Sequence, residues 1–325
     1  MKRAVTVAIA LGVVLPHGSA HAVPPASAPH APPTTRADSR AGFVSLTGAL
    51  PKYVQYAASA FSMGSTALDM QRAKELCNRY DADRRQCAAL DMMLRAEGLA
   101  HTVSVDAFRL DRTEVSVADY DACVRVGACA LPAYTPGDRR YDRPNFPVTH
   151  VTWNDAQKYC EHVGGRLPTE AEWERAARGV NGRDFPWGEV LQPNACNHGT
   201  LASFNFELDD SDGFLGLAPV GAMRDCRTPE GVMDLAGNVA EWVLDTYQTD
   251  DTGLGYTSKP ATNPAGSPTG AYHVVKGGSY TMGVTFLRAA ARTTITTPHA
   301  VDVGFRCAYS HARLVFADLP PAAGP

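Results

Sequence analysis

What this sequence lacks narrows its function early. It has no surplus of positive charge: 30 Lys and Arg stand against 34 Asp and Glu, a formal net charge of −4. Without a broad basic field a nucleic acid is a poor partner. Nor is there an apolar run of the ~20 residues that a helix needs to cross a bilayer, so no transmembrane segment is expected in the mature chain. No C-x-x-C or C-x-x-H spacing exists, which removes the common zinc sites. Of the ten histidines, His17, His21 and His30 lie near the N-terminus. Others, among them His101, His150, His198 and His273, are scattered without short metal-ligand spacing, so they read as loop or surface residues.

What is present points to export. Lys2 and Arg3 precede an apolar stretch from Ala4 to Leu15, and Ala20-His21-Ala22 offers the small residues of a cleavage site. Residues 1–22 therefore read as a secretory signal peptide, leading to a periplasmic or secreted protein. Residues 23–42 are rich in Pro, Ala, Ser and Thr and read as a disordered linker. A folded domain is expected over 43–317 and a disordered tail over 318–325. In an oxidising compartment the eight cysteines imply disulfides. Cys77 with Cys87, and Cys123 with Cys129, could close local loops. Cys160, Cys196, Cys226 and Cys307 would staple distant parts of one domain.

With 28 Gly and 23 Pro much of the domain must be loop. A few helices are nevertheless well marked. Ser116 caps a helix over Val117–Val126 that Gly127 ends. Thr152 or Asn154 opens another running to Val163. Thr169 followed by Glu172 is a capping box, in which each side chain satisfies an orphan backbone N–H, and that helix stops at Arg178-Gly179. Strands are expected at 102–110, 148–151, 239–244, 273–275 and 303–308. The sum is a mixed α/β (α+β) domain with few short elements and long loops.

Several blocks then occur in a telling order: Phe61-Ser62-Met63-Gly64-Ser65, Leu110-Asp111-Arg112-Thr113-Glu114-Val115-Ser116, Pro147-Val148-Thr149-His150-Val151-Thr152-Trp153-Asn154-Asp155-Ala156, and Gly165-Arg166-Leu167-Pro168-Thr169-Glu170-Ala171-Glu172-Trp173-Glu174. Phe185-Pro186-Trp187-Gly188, Gly237-Asn238-Val239-Ala240-Glu241-Trp242, Lys276-Gly277-Gly278-Ser279-Tyr280 and Val303-Gly304-Phe305-Arg306-Cys307 follow. This series resembles the formylglycine-generating-enzyme, or sulfatase-modifying-factor, family over about Phe61 to Ala308.

The resemblance carries expectations. It implies a variant of the C-type-lectin-like fold. It implies a disulfide between Cys160 and Cys307, with Cys196–Cys226 bridged beside it and Cys77–Cys87 and Cys123–Cys129 as local loops. It implies structural Ca²⁺ at two places. One set is Asn197, the His198 carbonyl, Asp212 and the Phe214 carbonyl; the other is Asp234, the Gly237 and Val239 carbonyls, and Glu241. Such hard oxygen donors suit calcium.

Family enzymes oxidise a substrate cysteine with O₂ and copper, using two cysteines just after the Gly-Gly-Ser-Tyr string. Here the string continues Thr281-Met282-Gly283-Val284-Thr285-Phe286-Leu287-Arg288. Met282 stands at the first cysteine position, and the segment is about three residues short. Ala177 and Ala289 occupy the places of a further family disulfide. Thiolates are the natural hosts of soft Cu(I), so no copper and no formylglycine generation are expected. The expected function is an exported, calcium-stabilised pseudoenzyme that binds a protein, peptide or glycan. The alternative is altered chemistry, oxidation or tautomerisation of a peptide or siderophore precursor, in a groove around Ser279, Tyr280 and Arg288. Relatives that act on such a precursor without the cysteine pair are the precedent for it, whereas the scattered histidines do not match a branch that holds iron with three of them.

Overall fold

Among the described residues four of the five α-helices begin on the same local device. A computed structural model describes residues 52–80, 84–199, 210–248, 255–266, 270–310 and 315–316. The expected signal peptide, the linker and the tail lie outside the described residues. Strands β1 (Tyr53–Tyr56) and β2 (Ser59–Met63) lead into helices α1 (Ala67–Tyr80) and α2 (Arg84–Glu97). β3 (His101–Val105) and β4 (Phe108–Asp111) precede α3 (Val117–Arg125), α4 (Trp153–His162) and α5 (Glu170–Arg178). The remaining strands are β5 (Ala240–Thr246), β6 (Ala261–Thr262), β7 (Pro264–Ala265), β8 (His273–Lys276), β9 (Arg292–Thr294), β10 (Val303–Phe305), β11 (Ala308–Tyr309) and β12 (Val315–Phe316).

Each of α1, α3, α4 and α5 starts after a Ser or Thr whose hydroxyl accepts the amide of an acidic residue three positions on. Thr66 accepts from Asp69, Ser116 from Asp119, Thr152 from Asp155 and Thr169 from Glu172. In α1, α4 and α5 the acid also accepts the cap residue's own N–H, completing the box. Gly179 ends α5 at φ 68°, as its place after Arg178 suggests.

Two differences from the sequence reading have physical reasons. The α1–α2 hairpin, closed by Cys77–Cys87, was read only as a short local loop. Its cap, Thr66-x-x-Asp69, is the shorter and less familiar version of the box. Val148–Val151 is not a strand either: His150 sits at φ 58°, and the backbone there bonds to scattered carbonyls instead of a ladder.

The sheets are small. β1-β4-β11 and β2-β3-β6 have three strands each, β10-β5-β8-β9 has four, and β7 pairs with β12. β10 runs parallel to β5, with Val303 opposite Ala240. The main core packs α5 against the first sheets through Trp173, Ala176, Ala177, Leu110, Val103 and Val243, all fully buried. Ala177 and Ala289 lie in this core as plain packing residues.

α5 also carries buried charge, and each of its carboxylates has a cation beside it. Glu170 receives a two-pronged bond from Arg292 at 2.9 and 2.9 Å. Glu174 accepts from Lys276 at 3.0 Å. Glu241 of β5 receives a fork from Arg306 at 2.6 and 2.7 Å and a bond from Trp173 Nε1 at 2.9 Å. Such pairs are costly to break, because the survivor is left as an uncompensated buried ion.

The disulfides are Cys77–Cys87, Cys123–Cys129, Cys160–Cys307 and Cys196–Cys226, and no cysteine is free. Four bridges suit a chain that folds in an oxidising compartment. Among the described residues no helix is long and apolar enough to cross a membrane.

Candidate functional site

The string ending in Ser279 is shaped by its glycines. Gly278 holds φ 69°, and a Cβ there would meet Phe286 at 3.0 Å, so the chain turns where only glycine fits. The turn drops Ser279 onto a buried carboxylate. Ser279 Oγ donates to Asp302 Oδ2 at 2.7 Å, and Thr281 Oγ1 donates to the same oxygen at 2.6 Å. The two hydroxyls lie 3.0 Å apart. Asp302 is in turn tied to β5, its carbonyl accepting the Ala240 N–H at 3.0 Å.

Tyr280 packs beside this triad, its N–H donating to the Asn238 carbonyl at 2.9 Å. Burial raises its hydroxyl pKa, with Tyr141 and Asp302 adding to the shift. Tyr141 continues the patch: its ring meets His150 edge-on at 4.5 Å, and Tyr134 meets the same imidazole at 5.6 Å. Burial lowers the His150 pKa, against the pull of Asp138. His150 Nδ1 bonds to Thr149 Oγ1 at 2.9 Å, not to Ser279. The Ser279 proton is directed at Asp302, so this is no serine–histidine relay. Chemically it is a buried hydrogen-bonded cluster of Ser279, Thr281 and Asp302, with tyrosines packed beside it.

Arg288, expected in this groove, is elsewhere. Its guanidinium forks onto Glu97 at the end of α2, Nη1 to Oε2 and Nη2 to Oε1 at 2.7 Å each, and Glu97 also accepts from Ser65 Oγ. Between Ser279 and Arg288 the segment forms a 3-10 turn, Val284–Leu287. Phe286 from this turn packs with Met70, Ala73, Leu90, Met93 and Leu94 of the helical hairpin. Met282 sits half-buried, its carbonyl accepting the Gly199 N–H at 2.9 Å. Asp302, Tyr141 and Glu97 were missed as partners of this region. Only Asp302 carries a local signal, standing directly before the Val303-Gly304-Phe305-Arg306-Cys307 block.

The two expected calcium sets differ in how they fit an ion. Asp212 accepts the His198 N–H at 2.7 Å and the Phe214 N–H at 2.9 Å, which brings three of the first set together. Asn197 joins them through the adjoining backbone. Its side-chain oxygen is buried and has no hydrogen-bond partner among the described residues, a vacancy that a hard cation fits. The second set already contains a cation. Arg306 Nη2 bonds both Glu241 and the Asp234 carbonyl, so a guanidinium already supplies the positive charge there. Asp234 accepts the Gly221 N–H and faces the buried Glu114. Among the described residues no cluster of three His, Cys, Asp or Glu side chains could hold a metal, so a site here must draw on amide and carbonyl oxygens.

Comparison with known proteins decides the family. The description sulfatase-modifying factor enzyme 1-like domain matches residues 51–311. The chain belongs to the sulfatase-modifying-factor family. It is 42% identical over 182 residues to a formylglycine-generating enzyme of Thermomonospora curvata, covering 53% of this chain and 58% of that one. It is 46% identical over 119 residues to the inactive C-alpha-formylglycine-generating enzyme 2 of Bos taurus, covering 36% and 38%. The chain thus spans about half the length of the curated relatives it matches. Among solved structures PvdO from Pseudomonas aeruginosa shares the fold, with a TM-score of 0.56 at 23% identity over 79% of this chain and 93% of that one. The mixed α/β architecture expected of this family is the one observed.

Proposed function

We propose that this family member is exported, does not generate formylglycine, carries structural calcium at the Asn197–Asp212 set, and binds a protein, peptide or glycan over the Ser279–Tyr280 face. One observation carries the reading. The segment that would hold the reactive thiols has none, and it is built into the core of the disulfide-closed hairpin through Phe286 and the Arg288–Glu97 fork. All eight cysteines are already bridged, so none can stand in. Tyr134 and Tyr141, half-buried around His150, offer aromatic stacking area with hydroxyl groups, a common means of recognising peptides and sugars.

The test combines three measurements on the mature protein. Copper-loaded protein with a cysteine-containing sulfatase-motif peptide is expected to yield no aldehyde. Elemental mass spectrometry is expected to find one calcium per chain and no copper, and denatured thiol titration no free thiol. Binding to a peptide and glycan array is expected, weakened by Tyr141→Ala. Aldehyde formation, or a pair of titratable thiols, would sink the proposal; array binding unaffected by Tyr141→Ala would remove the face from it.

The alternative, altered chemistry at the same face, is favoured by one feature: a buried carboxylate, Asp302, that gathers two hydroxyls beside Tyr280. Turnover of a peptide or siderophore precursor that Asp302→Asn and Ser279→Ala both abolish would support it.

A further inference from the structure

A cavity lies between the first turn of α5, the end of β5 and the β6–β7 segment. Its volume is about 180 Å³. That is below the ~300 Å³ at which drug-sized sites begin, so a ligand must be small. Met63, Ala171, Ala261 and Ala265 supply apolar wall, while His101, Thr257 and Lys259 line another part.

Asp245 is the unusual member of the lining. It is a nearly buried carboxylate whose Oδ2 accepts the Glu170 N–H at 2.7 Å and whose Oδ1 accepts the Gly266 N–H at 2.6 Å. Among the described residues no cation forms a salt bridge with it. The two buried cations nearby are spent: Arg292 forks Glu170, and Lys276 bonds Glu174 and lies 3.4 Å from Glu170. Every other buried carboxylate of α5 and β5 has its own cation, but Asp245 has two amides and a cavity. The remaining titratable neighbours are Tyr256 and Lys259, His101 of β3 and His273 of β8.

We propose that this cavity binds a small α-amino acid, its ammonium paired with Asp245, its side chain against Met63, Ala261 and Ala265, and its carboxylate toward Lys259 and His101. The ammonium supplies the charge that Asp245 lacks, and a simple amine has no carboxylate to offer Lys259 and His101. Burial and the neighbouring Glu170 carboxylate hold Asp245 up at about 7. Binding an ammonium requires the ionised form, so affinity rises with pH through that value.

The experiment is isothermal titration of the full mature chain with L-leucine, n-butylamine and butyrate at pH 6 and pH 8. L-Leucine is expected to bind, roughly tenfold more weakly at pH 6 than at pH 8, following the ionised fraction of a group titrating near 7. Butylamine is expected to bind more weakly and butyrate not at all. Asp245→Asn abolishes binding. Because that change also disturbs two amide contacts, Ala261→Leu, which fills the cavity and leaves Asp245 alone, is expected to abolish it too. Lys259→Ala, at an exposed position, should erase the advantage of leucine over butylamine. No leucine binding at pH 8, or binding that survives Ala261→Leu in folded protein, would overturn the proposal.

Discussion

Arg288 and Glu97 meet in a planar fork, two bonds of 2.7 Å between residues 191 positions apart. Both side chains are almost wholly buried, at 6% and 3% exposure. The fork fastens the short segment after Ser279 to the end of the helical hairpin, and Phe286 is the apolar half of the same joint.

Breaking that fork on one side should be expensive. Arg288→Met leaves Glu97 as a buried carboxylate without its cation, and a loss of about 3–5 kcal/mol is expected in denaturant unfolding. Pairing it with Glu97→Gln should return much of the loss. If the double variant were no better than the single one, the fork would not be what the arginine contributes.

The disulfides should differ in weight according to the chain they enclose. Cys160 and Cys307 are 147 residues apart, Cys123 and Cys129 only 6. Loop-closure entropy assigns about 5 kcal/mol to the first and about 2 kcal/mol to the second. Paired Cys→Ala variants of each, compared by thermal melting, should show the long bridge to be the greater loss.

The contribution of the buried acids to stability should fall as pH rises from about 4 to 7. Burial lifts Asp245 to about 7 and Asp111 to about 6 from an ordinary value of 3.8, and Glu114 moves the same way. A carboxyl that holds its proton harder when folded stabilises fully below its unfolded pKa. The contribution disappears as pH rises through its folded pKa. Glu170 moves the opposite way: its pKa lies below the ordinary 4.5 despite burial, because Arg292 and Lys276 outweigh the desolvation. Its stabilisation is complete above the ordinary 4.5 and is lost as pH falls below that value. Asp245→Asn should therefore flatten the decline between pH 4 and 7, as read by melting temperature in matched buffers. An unchanged slope would refute the assignment.

Chelation tests the proposed ion. Adding EDTA is expected to lower the melting temperature of the native chain and to leave Asn197→Leu unaffected, since that variant has lost the buried oxygen. A native chain indifferent to EDTA would count against calcium at this set.

Helix starts were legible in this sequence because capping is local: a hydroxyl and an acid three residues apart are read without knowing the fold. Even so, Thr66 and Asp69 passed unnoticed, and with them the hairpin. The Ser279 cluster was half legible. Ser279 and Tyr280 stand in a string that marks itself, but Asp302 lies 23 residues further on and comes under Ser279 only because β10 runs beside β5. Arg288 was misplaced for the same reason. Adjacency in sequence suggested a shared groove, whereas the 3-10 turn carries the guanidinium to the hairpin. Likewise Glu241 is an oxygen donor on paper, and only the fold shows Arg306 across from it.

β4 lies between β1, from the start of the domain, and β11, from its end, and Cys307 closes its bridge next to β11. A ribosome must therefore release almost the entire domain before this sheet can be completed. Until then β4 lacks one neighbour and Cys160 remains a thiol, while Cys77–Cys87 and Cys123–Cys129 have their partners close at hand. Maturation is thus ordered by the chain itself: short bridges find their partners locally, and the long one records that the domain has closed.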